Sequence, residues 1–196
     1  MKAWRPVVLK ALVVAACVVA AMPASALEGR SVLGIKAKSC RFDAEAEGMT
    51  CSGPGGWKIA VGFHVLAPSL CLIRPGTTDC APPPPTDGRM AIRIAIGSQA
   101  DWHGAGVIIP VDIVLPAAYR AAIEAGEGSA QLARRPILEV MRAGREGSCT
   151  IAYVDAAEPG ARALAEKVAA DAANRQCPVA TIATPGSTAL GAYLAE

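Results

Sequence analysis

Trp57-Lys58-Ile59-Ala60-Val61-Gly62-Phe63-His64-Val65 places large apolar residues at every odd position, with Lys58, Ala60, Gly62 and His64 between them. A period of two marks a strand with one buried and one wet face. The pattern returns from Met90 to Ile96, where Met90, Ile92, Ile94 and Ile96 alternate with Ala91, Arg93 and Ala95, and again from Val107 to Leu115. Pro110 lies inside the third run. Proline cannot donate to a ladder, so that run predicts an edge strand or a bulge. Shorter strand candidates are Ser31 to Ala37, Ile137 to Met141 and Ser148 to Val154.

Two helical patterns interrupt the strands. Pro116 to Ala125 opens on a first-turn proline, pairs Tyr119 with Ile123 and Arg120 with Glu124 at i,i+4, and stops at Gly126. The second pattern runs from Ala157 to Arg175, with Asp155 and Glu158 spaced as a capping box and only Leu164 and Val168 as large apolar anchors. The whole predicts a single α+β domain, mainly antiparallel sheet with two helices. Residues 52–56 read as a turn, and 81–88 as a stiff proline-rich loop. Residues 178–196 carry Leu190, Tyr193 and Leu194 and predict a tail that docks as a short helix or frays.

The domain boundary is set at the other end of the chain. Residues 1–26 hold Lys2, Arg5 and Lys10 and no acid, then an apolar run from Ala11 to Met22, then Ala24-Ser25-Ala26. This is the layout of a secretory signal peptide with cleavage near Ala26, leaving 27–196 as the mature domain. The apolar run is shorter than the ~20 residues a spanning helix needs, so no transmembrane segment is expected in the mature chain. Val14-Ala15-Ala16-Cys17 offers a lipidation motif as the lesser alternative. Without the leader, Lys plus Arg falls from 19 to 16 against 17 Asp plus Glu. Net charge then gives no support to a nucleic-acid partner. Abundant Ala, Gly, Pro and Arg suit a bacterial genome rich in GC, and the periplasm, or secretion, is the expected address.

Six further cysteines, at 40, 51, 71, 80, 149 and 177, are even in number, as disulfides require. Proximity pairs Cys40 with Cys51, Cys71 with Cys80 and Cys149 with Cys177, three bridges of about 3 kcal/mol each in the chain-entropy account. No Cys-x-x-Cys occurs, and the spacings fit no zinc knuckle.

Reactive groups are few: His64 and His103 are the only histidines, and no hydrolase or phosphate-loop signature is present. Asp101-Trp102-His103-Gly104 is the tetrapeptide richest in chemistry, placed by its context in a loop between strands. An exposed Trp beside a carboxylate and an imidazole would suit recognition, so Trp102, Asp101 and His103 are the binding candidates. His64, His103 and Asp101 are the weaker catalytic ones. If Asp101, His103 and His64 converged they would offer three metal donors, but their spacing does not demand it, and neither metal nor cofactor is expected. Asp43, Glu45, Glu47 and Gly48 imitate the start of a calcium loop, yet Pro54 stands where its bidentate Glu belongs. Arg134, Arg135, Arg142 and Arg145 form a basic cluster diluted by Glu139 and Glu146. The expectation is a non-catalytic exported binding or accessory protein that presents loops to an envelope protein or small ligand. The alternative is a periplasmic hydrolase using His64 or His103 with Asp101 or Asp112.

Overall fold

The computed structural model describes residues 31–34, 40–43, 48–63, 68–78, 91–96, 99–126, 132–144, 147–177 and 183–195. The leader with Cys17, His64, Cys80, the proline-rich loop and Arg145 lie outside the described residues. The chain forms two antiparallel sheets, where the periodicity was compatible with one. The smaller has four strands in sequence order, β1 of the larger sheet preceding them: β2 (Cys40–Asp43), β3 (Gly48–Ser52), β4 (Lys58–Phe63) and β5 (Pro68–Ile73). The larger has six: β1 (Ser31–Gly34), β6 (Ile92–Ile96), β7 (Gln99–His103), β8 (Gly106–Val114), β9 (Arg135–Gly144) and β10 (Gly147–Asp155). Three helices complete it: α1 (Pro116–Glu124) between β8 and β9, α2 (Ala161–Ala170) after β10, and α3 (Thr188–Ala195). No helix among the described residues is long and apolar enough to cross a membrane.

The larger sheet is the middle of three layers. One face meets the small sheet around Trp57, Ile59, Val61, Leu70 and Leu72, with Trp102, Val107, Ile109, Val111 and Ile113 opposite them. The other carries Ile108, Leu138, Val140, Ile151 and Val154 against α2. The alternations at 57–61 and 107–113 therefore sort side chains as a period of two requires.

The alternation from Met90 to Ile96 is sorted the other way only up to Arg93; past the slip in register Ile96 pairs with Val111 and packs on the core as expected. Arg93 pairs with Ile113 across the ladder, and cross-strand partners share a face, so Arg93 points into the core between the sheets. A buried carboxylate is the reason. Glu139, fully enclosed on the same face of β9, accepts hydrogen bonds from Arg93 Nε at 2.6 Å and from its Nη2, and a buried charge persists only when paired. The β6 register slips between Arg93 and Ala95, and all five β6 residues are only half-buried.

Pro110 is not at an edge. β8 is interior, with β9 along one side and β7 then β6 along the other. Those two partners leave β8 at Ile108 and join it at Val111. Pro110 falls at the handover, where no described strand on that side requires a ladder donor.

α1 forms as read, with Tyr119 buried but Ile123 exposed. The second helix starts later and ends earlier than its sequence pattern. Asp155 does not cap it: its carboxylate takes the Ala157 N–H at 3.2 Å, the Arg135 guanidinium at 2.5 Å and the Ser187 hydroxyl at 3.4 Å, while Gly160, left-handed, precedes α2. Val168 is buried as expected, and small residues join it in holding the helix. Ala161, Ala165 and Ala169 are buried, and a Cβ on Gly106 would run into the Ala169 backbone. Within the predicted tail, α3 docks: Leu190 is fully buried, and Ser187 Oγ accepts the Leu190 N–H at 3.1 Å as its cap.

Two disulfides are present among the described residues. Cys40–Cys51 staples the β2–β3 hairpin, and Cys149–Cys177 ties β10 to the segment after α2. The expected third partner of the set, Cys80, is outside the described residues. Asp43 stands opposite Gly48 in this hairpin, and Glu45 and Glu47 of the calcium-like run lie outside the described residues.

Candidate functional site

Asp101, Trp102 and His103 occupy a strand, β7, not a loop. The two-residue turn Gly104-Ala105, with Gly104 at φ +57°, returns the chain into β8. Alternation along β7 then separates the three candidates. Trp102 lies on the small-sheet face, fully enclosed, so it exposes no indole to a partner. Asp101 and His103 lie on the opposite face, beneath the first two turns of α2.

There they meet two residues that the sequence reading did not single out. Arg162 donates from Nη2 to Asp101 Oδ2 and from Nε to Glu166 Oε1, the latter at 3.1 Å. His103 Nε2 stands 3.4 Å from Asp101 Oδ2. One ligand atom each from Asp101, His103 and Glu166 lie within 4.8 Å of one another. Asp101 is almost wholly buried, His103 and Glu166 half-buried, and the Arg162 side chain 43% exposed. The cluster is thus a seam of alternating charge with one side open to water. Its helical half is visible in sequence as an Arg-x-x-x-Glu pair at i,i+4; what the sequence lacks is any sign of the strand beneath it.

A second polar cluster is centred on Glu139, which is closed to water, with the Arg93 side chain 14% exposed. Glu139 also accepts from Thr150 Oγ1, and Tyr153, its cross-strand partner, is buried with a hydroxyl that has no hydrogen-bond partner. Burial, and secondarily the Glu139 charge, raises the Tyr153 pKa well above its ordinary value, with Arg93 opposing. For Arg93, burial works against the charge, but Glu139 outweighs it and the pKa lies above the usual arginine range. Arg93, Glu139, Thr150 and Tyr153 thus form one polar cluster set into the apolar core.

A third feature is a groove of about 160 Å³ over the part of the larger sheet beyond α2. Ala95, Ile96, Pro110, Pro136, Leu138 and Ala156 line it, with Asp112 as its one charged group, and Asp112 is 3.8 Å from Arg134. Arg135 is spent on Asp155, and Arg142 Nη1 approaches Cys177 Sγ at 3.9 Å, so the basic cluster is largely turned to internal partners. No protein family, curated protein or solved structure matches the chain.

Proposed function

We propose that this chain is an exported bacterial binding or accessory protein, without catalysis of its own, released by removal of residues 1–26 and braced by a third bridge, Cys71–Cys80. The observation that carries the binding reading is the groove across β6, β8 and β9: open, apolar, rimmed by Pro110 and Pro136 and lacking any nucleophile or histidine. Such a surface suits an apolar segment of an envelope protein or a small apolar ligand, fixed in orientation by Asp112. A photo-crosslinking residue at Ala156 should give a discrete adduct in the native envelope, and the same residue at exposed Ala173 should not. Equal or absent labelling at both positions defeats the groove as a binding site.

The hydrolase reading draws on the 3.4 Å approach of His103 to Asp101, the geometry of a base with its orienting carboxylate. Against it, Arg162 already engages Asp101, and the groove is lined by other residues. Ester and peptide hydrolysis that vanishes in His103→Ala would restore the enzyme.

A further inference from the structure

We propose that Asp101, His103 and Glu166 form a binding site for a divalent cation of the zinc class, and that Arg162 is the cation's built-in competitor. The inference does not rest on the groove. Two rigid elements deliver the donors: β7, paired on both sides by β1 and β8, and α2, held down by the Gly106–Ala169 contact and followed by the Cys149–Cys177 bridge. A tetrahedral ion with bonds of about 2.0–2.2 Å sets its ligands about 3.4 Å apart. His103 Nε2 and Asp101 Oδ2 already stand at 3.4 Å, and one donor each from Asp101, His103 and Glu166 lie within 4.8 Å of one another, so side-chain adjustment alone is needed to close the set.

The donor chemistry selects the ion. One imidazole nitrogen with two carboxylates is a poor set for calcium or magnesium, which take oxygen ligands, and suits zinc and its neighbours. The open side of the cluster leaves room for water as a fourth ligand. Electrostatics explains Arg162. Asp101 is almost wholly buried, a place where a carboxylate calls for a cationic partner, and the guanidinium supplies one positive charge to it and to Glu166. A divalent ion supplies two at the same oxygens, while the half-exposed Arg162 side chain swings into solvent.

The test is a cobalt titration of the chelator-treated full chain with its disulfides intact, followed by visible absorption, with zinc competition by calorimetry. One equivalent should bind, with the spectrum of tetrahedral cobalt. His103→Ala should lose the band. Arg162→Ala should bind tighter by about tenfold or more, the equivalent of one charge-assisted hydrogen bond removed from competition. Arg162→Gln serves if the alanine variant does not fold, which circular dichroism reports. A purely structural ion pair predicts the reverse pattern, a less stable Arg162 variant that still takes up no metal. That result, the lack of a cobalt band in wild type, or equal binding by His103→Ala overturns the site.

Discussion

The two faces of the larger sheet solve the same burial problem with opposite materials. Against the small sheet the face is built from bulk: Trp102, Tyr153, Ile109, Ile113 and Ile137, each almost fully enclosed, around the buried Arg93–Glu139 pair. Against α2 it is built from closeness: Ala161, Ala165, Ala169 and Gly106 let helix and sheet backbones approach, and its charges are a buried Asp101 with Arg162 and Glu166 at the rim above it. A face packed by bulk encloses Glu139 completely and leaves Arg93 only narrowly exposed. A face packed by small residues leaves long side chains, Arg162 and Glu166, standing at its border, partly in solvent. The site candidates fall on the second face for that reason.

The comparison breaks first at Trp102. Trp102→Ala empties the centre of the bulky face and should cost about 3–5 kcal/mol in urea unfolding; a loss below 1 kcal/mol would mean that the two sheets do not share one core. Glu139→Leu should cost about 3 kcal/mol by stranding Arg93, whereas the double variant with Arg93→Met should recover most of that loss. Equal losses in single and double variants would show that the pair contributes by shape and not by charge. On the other face, Gly106→Ala should cost about 1–3 kcal/mol, because α2 must lift from the sheet, and Gly106→Ser should do no better. An unchanged melting temperature would show that the helix is not seated closely.

The smallest effects belong to the node that docks α3. Ser187→Ala should cost about 1 kcal/mol as a lost cap. Burial alone would raise the Asp155 pKa, but hydrogen bonds from Arg135, Ala157 and Ser187 overcome this and leave it below the ordinary value. A depressed carboxylate stabilises the fold fully above its unfolded pKa of about 3.9 and loses that contribution as pH falls through the lower folded value. Melting temperatures followed into acid should therefore fall less steeply for Asp155→Asn than for wild type. Parallel curves would remove Asp155 from the acid limb.

Strands with a clean period of two were legible because their burial is decided locally: Trp57, Ile59 and Val61 turn inward whatever lies across from them. Arg93 was misread because its facing depends on Glu139, 46 positions away. Pro110 was misread because its tolerance comes from where two partner strands meet, which no feature of β8 announces. Asp101 and His103 were found by residue type alone. Arg162 and Glu166 were missed because an i,i+4 ion pair looks the same on a bare solvent face as above a buried carboxylate. The anchors of α2 were underestimated for a related reason: alanine contributes by letting backbones meet, and a search for large side chains does not see it.

The two bridges join cysteines that are neighbours in the sequence of thiols: Cys40 to Cys51, the next one along, and Cys149 to Cys177, likewise the next. Once the leader with Cys17 is removed, as proposed above, an oxidant that couples each thiol to its successor in the order of synthesis makes both correct links at the first attempt. Assembly therefore asks for an oxidase and has no use for an isomerase at these two pairs, and a host lacking disulfide shuffling should still yield them correctly joined.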